Sequence, residues 1–144
     1  MDSKFLVDGS IDPEIVSKSI SSHSEKLNIG AHSIFLGQVR DDVIHGRKVV
    51  AIDYSCYTEM ADKQFQKIKD QIFNKYDDLT CMHIKHGLGK VGAGEISLFV
   101  FVSSGHRVQA FKACEETVNL IKDEVPIWGK EIFDDESYVW KENK

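Results

Sequence analysis

An α+β fold, with helices packed on a mainly antiparallel sheet, is what this 144-residue sequence predicts. Two observations carry the prediction. Segments with apolar residues at spacings of three and four alternate with pairs of strand-like runs, and turn-forming stretches join the members of each pair as neighbouring hairpins. Residues 1–144 are expected to form one domain, because 42% hydrophobic content supplies a core and no stretch reads as a linker.

The elements follow in order. Asp12 and Pro13 open a first helix, the carboxylate positioned to accept from free N–H groups and the fixed proline φ suited to the first turn, and that helix should run to about Ser22. "IGAHSIFLGQVR" reads as a strand and "RKVVAIDYSCY" as a second, expected to form a hairpin through "DDVIHG". Between Glu59 and Tyr76, Ala61, Phe65, Ile68, Ile72 and Tyr76 mark one face of an amphipathic helix. "TCMHIKHGLG" and "EISLFVFVSS" form the next pair across "KVGAG"; the second is almost continuously apolar and so central in its sheet or buried at an interface. After Ser104, Val108, Phe111, Cys114, Val118 and Ile121 repeat with helical spacing until Pro126 stops them, and "IWGKEIF" supplies a last strand.

Composition excludes several functions. A net charge of -5 argues against a general nucleic-acid or membrane-surface binder, since phosphate backbones select clustered Lys and Arg, so any anion site must be local. Cys56, Cys81 and Cys114 lie far apart without C-x-x-C spacing and read as core hydrophobes of a reducing compartment. With no basic region leading an apolar stretch at the N-terminus, and no run long enough to span a bilayer, a cytoplasmic protein is expected.

Several motifs need weighing. "GLGKVG", Gly87 to Gly92, matches G-x-G-x-x-G as a string, but a strand-like run follows it instead of the helix that would meet a pyrophosphate, so it reads as a turn. His83 and His86 fall on opposite faces of a strand, and no metal site is expected. "SSGHR" joins a buried strand to a helix start, where free N–H groups and the dipole favour an anion, and His106 and Arg107 add donors. A simple cap by Ser104 is the plainer alternative. Arg40 closes a strand beyond Gly37, which permits close approach of a ligand or backbone. Lys122 lies one helical turn from Val118, on the apolar side, where it either snorkels or, beside Pro126 and Trp128, loses water and has a lowered pKa suited to proton transfer.

"GAHSIFLGQVR", "HGLGKVGAGE", "VSSGHRVQAF" and "IKDEVPIWGKE" together resemble, in order and spacing over residues 30 to 133, the catalytic (large) subunit of molybdopterin synthase. The resemblance implies an α/β-hammerhead fold and a homodimer at the centre of a heterotetramer, with a ubiquitin-like sulfur-carrier small subunit at each end. It implies sulfur transfer from the carrier's C-terminal Gly-Gly thiocarboxylate to cyclic pyranopterin monophosphate, making the dithiolene of molybdopterin, with no metal or other cofactor for the transfer itself.

Residue by residue, the family's basic pocket falls on Arg40, His106, Arg107 and Lys122, with Gln38 and Val39 contacting substrate through their backbone and the His-Arg pair arriving from the dimer mate. Lys122 is the expected catalytic lysine. At the corner Trp128, Gly129, Lys130, Glu131, the sequence departs from the family's Trp, Lys, basic, Glu. The expectation is that Gly129 turns Lys130 inward to supply the missing charge as a second catalytic lysine, with Gly129 and Glu131 also at the substrate; the competing reading leaves Lys130 in the family's second basic position. Cations confined in a low dielectric suit an anionic phosphate, thiocarboxylate and oxyanion. The alternative functions are a non-catalytic module binding a small phosphorylated ligand and a phosphate-ester hydrolase built on Arg40.

Overall fold

The computed structural model describes residues 3–141. Its elements are β1 (Leu6–Asp8), α1 (Pro13–Ser22), β2 (Ala31–Gln38), β3 (Val43–Ile44), β4 (Arg47–Cys56), α2 (Thr58–Lys75), β5 (Leu79–Gly92), β6 (Ile96–Ser104), α3 (Arg107–Glu124), β7 (Ile127–Phe133) and β8 (Tyr138–Trp140). The three helices pack on a mostly antiparallel sheet of eight strands, whose main path runs β2-β6-β5-β4-β7-β8, with β1 parallel to β5 and β3 paired to β4.

Local chemistry sets the predicted boundaries. Asp12 caps α1 by accepting from the Glu14 N–H at 2.9 Å, with Pro13 as the first helical residue. Ala61, Phe65, Ile68 and Ile72 of α2 are all fully buried, and each large one removed from water contributes about 1.5–3 kcal/mol. β6 is apolar from Leu98 to Val102 because both its faces are covered there. Leu98, Val100 and Val102 meet α2 and α3, while Phe99 and Phe101 meet Ile11 and the α1 residues Ile15 and Val16.

Three expectations are corrected, and two short strands escape the sequence reading. The segment around residues 31–38 does not form a hairpin with β4; it pairs with β6, and the tight hairpin is β3 with β4, where His45 and Gly46 take positive φ. Short-range turn signals identify that hairpin without revealing that β2 crosses the sheet. "GLGKVG" is strand: β5 runs through Gly92, bends where Gly89 takes φ +83°, and the turn follows at Gly92 to Glu95. On α3 the buried stripe is Ala110, Ala113, Cys114, Thr117 and Ile121, whereas Val108 and Phe111 are exposed; small residues let the helix settle closely on the sheet, and the larger ones are left on its flank. β1 and β8, three residues each, are too short for an alternation to be read.

Candidate active site

Two adjoining cavities meet at the C-terminal end of α3. The narrower, about 340 Å³, is walled by Pro126, Trp128, Gly129, Trp140 and His86; the wider, about 880 Å³, is walled by Gln38, Val39, Arg40, Ser97 and Glu131. Tyr54, Lys122 and Lys141 line both and stand at the junction.

Strand alternation explains which side chains arrive there. Tyr54 of β4 lies opposite Gly129 of β7, and Ile52 opposite Glu131, so these four share one face. Gly129 is required by close packing, since a Cβ there would lie 2.9 Å from Ile52 Cγ2 and 3.4 Å from Tyr54 Cε1. Its φ is not positive, and β7 is regular across it. Lys130 therefore projects to the other face, where its ammonium lies 4.7 Å from the Tyr138 ring centre and 5.2 Å from that of Trp140. The expectation that Gly129 turns Lys130 inward is corrected by this geometry: an ordinary strand cannot put adjacent residues on one face.

Charge at the junction is strongly conditioned by its surroundings. The walls strip water from the Lys122 ammonium and lower its pKa, with repulsion from Lys141 adding to the effect, although much of the side chain remains solvent-accessible. Burial likewise raises the Tyr54 hydroxyl, which a hydrogen bond to Ser97 partly offsets and Glu131 reinforces. One carboxylate oxygen of Glu131, Oε2, is buried with no hydrogen-bond partner among the described residues. His86 is 8% exposed and its pKa falls to about 4, chiefly through burial and also through Lys122, against a backbone hydrogen bond that favours the charged ring.

The other predicted residues are placed as follows. Gln38 and Arg40 border the wide cavity, with Arg40 Nε 3.4 Å from Asp42 Oδ1 on an exposed side chain. Val39 is buried, and its backbone is engaged internally, its N–H donating to Glu95 O at 3.0 Å and its carbonyl accepting from Gly94 N–H at 2.8 Å. Arg107 is the first residue of α3, fifteen residues before Lys122 and hence about 22 Å away along the helix, and His106 is the N-cap just before it. The anion at that helix start is internal: Asp78 Oδ2 accepts from the His106 N–H at 2.7 Å and lies 3.3 Å from its Nδ1. Ser104 donates to the His106 carbonyl, so it does not cap the helix. Among the described residues no group of three or more His, Cys, Asp or Glu could hold a metal ion, and no helix is long and apolar enough to cross a membrane.

A family profile described as MoaE protein matches residues 7–124. The chain belongs to the MoaE protein family. Among relatives, the molybdopterin synthase catalytic subunit of Taeniopygia guttata is 37% identical over 137 residues, covering 87% of each chain. That of Drosophila melanogaster is 40% identical over 116 residues, 80% of this chain but 31% of the fly protein, so this chain spans about a third of the length of the Drosophila relatives. The crystal structure of molybdopterin synthase from Staphylococcus aureus superposes with a TM-score of 0.84 at 30% identity, covering 99% of this chain and 98% of that one. A complex of subunits 1 and 2 of molybdopterin-converting factor from Helicobacter pylori shares the fold, with a TM-score of 0.80 at 18% identity, over 97% of this chain and 90% of that one.

In this MoaE-family chain, sequence reasoning missed Tyr54, His86 and Lys141 at the cavities. Alternation along β4 groups Tyr54 with Ile52, but nothing local reveals that β7 lies opposite. Lys141 follows a strand too short to read, and its N–H donates to Gly129 O at 2.8 Å.

Proposed function

We propose that this chain is the catalytic subunit of a cytoplasmic molybdopterin synthase, transferring sulfur from the Gly-Gly thiocarboxylate of a ubiquitin-like carrier to cyclic pyranopterin monophosphate. The observation that carries the reading is the pair of cavities sharing Tyr54, Lys122 and Lys141. The smaller cavity, lined by Pro126, Trp128, Gly129 and Trp140, suits an extended glycine tail, and the larger one, bordered by Gln38 and Arg40, suits a phosphorylated bicyclic substrate. Both ligands are anionic, and their reacting ends would meet at the two ammonium groups.

Lys122 is the group we assign to the chemistry. Its lowered pKa lets it lose and regain a proton more readily than a solvated lysine, and in its charged form it opposes the oxyanion that develops at the acyl carbon. Arg40 and Gln38 hold the substrate at the chamber rim, with Glu131 lining the same chamber. His106 and Arg107 are too far along α3 to reach their own chain's Lys122, which supports a homodimer in which they serve the partner's chamber. The carrier on each outer end would complete a heterotetramer, an arrangement in keeping with the two-subunit complex of the Helicobacter fold neighbour. Three free cysteines fit a reducing cytoplasm.

The test is incubation with thiocarboxylated carrier and cyclic pyranopterin monophosphate, with mass analysis of the product. Two sulfurs gained with the terminal phosphate retained support the reading; ligand bound without conversion, or inorganic phosphate released, would overturn it.

A further inference from the structure

The narrow cavity contains a histidine to which the sulfur-transfer reading gives no task. His86 Nδ1 lies 2.7 Å from Gly87 O. A carbonyl only accepts, so Nδ1 carries the proton, and in the neutral ring Nε2 is left with its lone pair. The ring is held by its surroundings: the edge of Tyr54 packs on it with centroids 5.0 Å apart at 85°, and Phe65 lies behind at 6.5 Å. His86 lines the narrow cavity together with Lys122, where the carbonyl end of a glycine tail would lie.

We infer that His86 Nε2 is the general base that admits water to the acyl end of the carrier tail after sulfur has been handed over. The inference rests on the proposed sulfur transfer, whose chemistry demands such a step. Once the thiocarboxylate sulfur has bonded to the pterin, carrier and pterin are joined as a thioester, and the carrier must be released before a second sulfur can arrive. Water is the co-reactant. Its oxygen bonds to the acyl carbon as Nε2 takes one of its protons, Lys122 opposes the resulting oxyanion, and the carbon–sulfur bond then breaks with its electron pair going to sulfur. The products are the carrier carboxylate and a pterin thiolate. The proton on Nε2 and the one lost from the new carboxyl group pass to solvent, so the step involves no oxidation or reduction.

The electrostatics agree with this assignment. The charged and titratable groups that line the cavity with the ring are Lys122 and Asp123 from α3, Tyr54 from β4 and Lys141 after β8, with Glu131 in the adjoining cavity. Burial and Lys122 keep the ring neutral, with its lone pair available, at every pH from about 5 upward. Such a ring is a weak base by itself; the oxyanion forming beside it stabilises the imidazolium and raises its basicity in the transition state, when the proton moves.

The test uses the complete chain with thiocarboxylated carrier and cyclic pyranopterin monophosphate, following free product and the carrier–pterin thioester together by mass. Wild type should give product with little conjugate. His86→Gln retains a hydrogen-bonding side chain without a base, and should accumulate conjugate while product release slows by on the order of 100-fold. His86→Ala, which opens space for a small base, should regain release when free imidazole is added. Product formation by both variants within about threefold of wild type, or conjugate breakdown that imidazole does not restore in a folded His86→Ala chain, would overturn the assignment while leaving sulfur transfer intact. Absence of both conjugate and product from wild type would overturn the sulfur-transfer reading and this assignment together.

Discussion

Replacing Gly129 by alanine adds a single methyl group where the structure has no room for it. The new Cβ would lie 2.9 Å from Ile52 Cγ2 and 3.4 and 3.5 Å from two ring carbons of Tyr54. Carbon atoms in contact prefer about 3.5–4.0 Å. Ile52 is 5% exposed and packed with Val39 and Val91, so its branched methyl cannot swing aside. Overpacking of this kind costs about 1–3 kcal/mol, from which the loss of glycine's freedom in the unfolded chain removes about 0.4–1 kcal/mol. A net loss of roughly 1–2 kcal/mol should lower the melting temperature by about 3–8 °C for a chain of this size. Thermal and urea melts of Gly129→Ala, Ile52→Ala and the double variant measure it. Ile52→Ala removes the obstructing methyl, so the double variant should be at least about 1 kcal/mol more stable than the two losses added together. A Gly129→Ala chain as stable as wild type, or strict additivity, would refute the steric argument. Gly129→Lys meets the same obstruction and also brings a third ammonium to Lys122 and Lys141, so it should reduce stability as well.

Three further outcomes are expected. His86 has its pKa lowered from 6.5 to about 4, so the unfolded chain binds a proton that the folded chain refuses between those values; stability is complete above pH 6.5 and falls with acidification, by about 2 kcal/mol from this residue at pH 5. The urea midpoint should fall accordingly between pH 7 and 5, and fall less in His86→Gln; equal slopes would count against the buried neutral ring. Lys130→Ala loses contacts with Tyr138 and Trp140 of about 0.5–1 kcal/mol each, lowering the melting temperature by a few degrees while turnover stays within threefold of wild type; a hundredfold loss of turnover would show that this ammonium reaches the junction. Lys122→Ala and Arg107→Ala chains, each inactive alone, should recover part of the activity when mixed under verified subunit exchange, and a persistently inactive mixture would place both residues in one chain's site.

Most of the secondary structure was legible because periodicity is a local property. Pro13–Ser22, the buried face of α2 and the strand 127–133 all follow from neighbours in sequence. Strand partners do not: "IFLG" pairs with β6, whose sequence lies some sixty residues later, and no turn residue records it. The α3 stripe was misread for a related reason. Hydrophobicity alone favours Phe111 and Val108, whereas close packing against a sheet selects Ala110, Ala113 and Thr117 for their size. In the site, Lys122 stood out as a lysine on the apolar side of its helix and Arg40 as a strand-end cation beyond Gly37, but His86 reads as an ordinary strand residue until Tyr54 and Lys122 are brought beside it from two other elements.

The sheet order also bears on how the molecule assembles. β5 and β6, joined by a turn of a few residues, are neighbours inside the sheet, whereas the β4–β7 pairing brings Cys56 to Ile127, about half the chain length later. Closing a longer loop costs more chain entropy, by about 0.6 kcal/mol per doubling, and contacts distant in sequence slow folding. Both cavities are walled by that distant pairing and by the end of α3. The β5–β6 hairpin can form while they do not yet exist, so the competence to bind ligand should emerge last during folding and be the first property lost when the sheet opens from its β8 side.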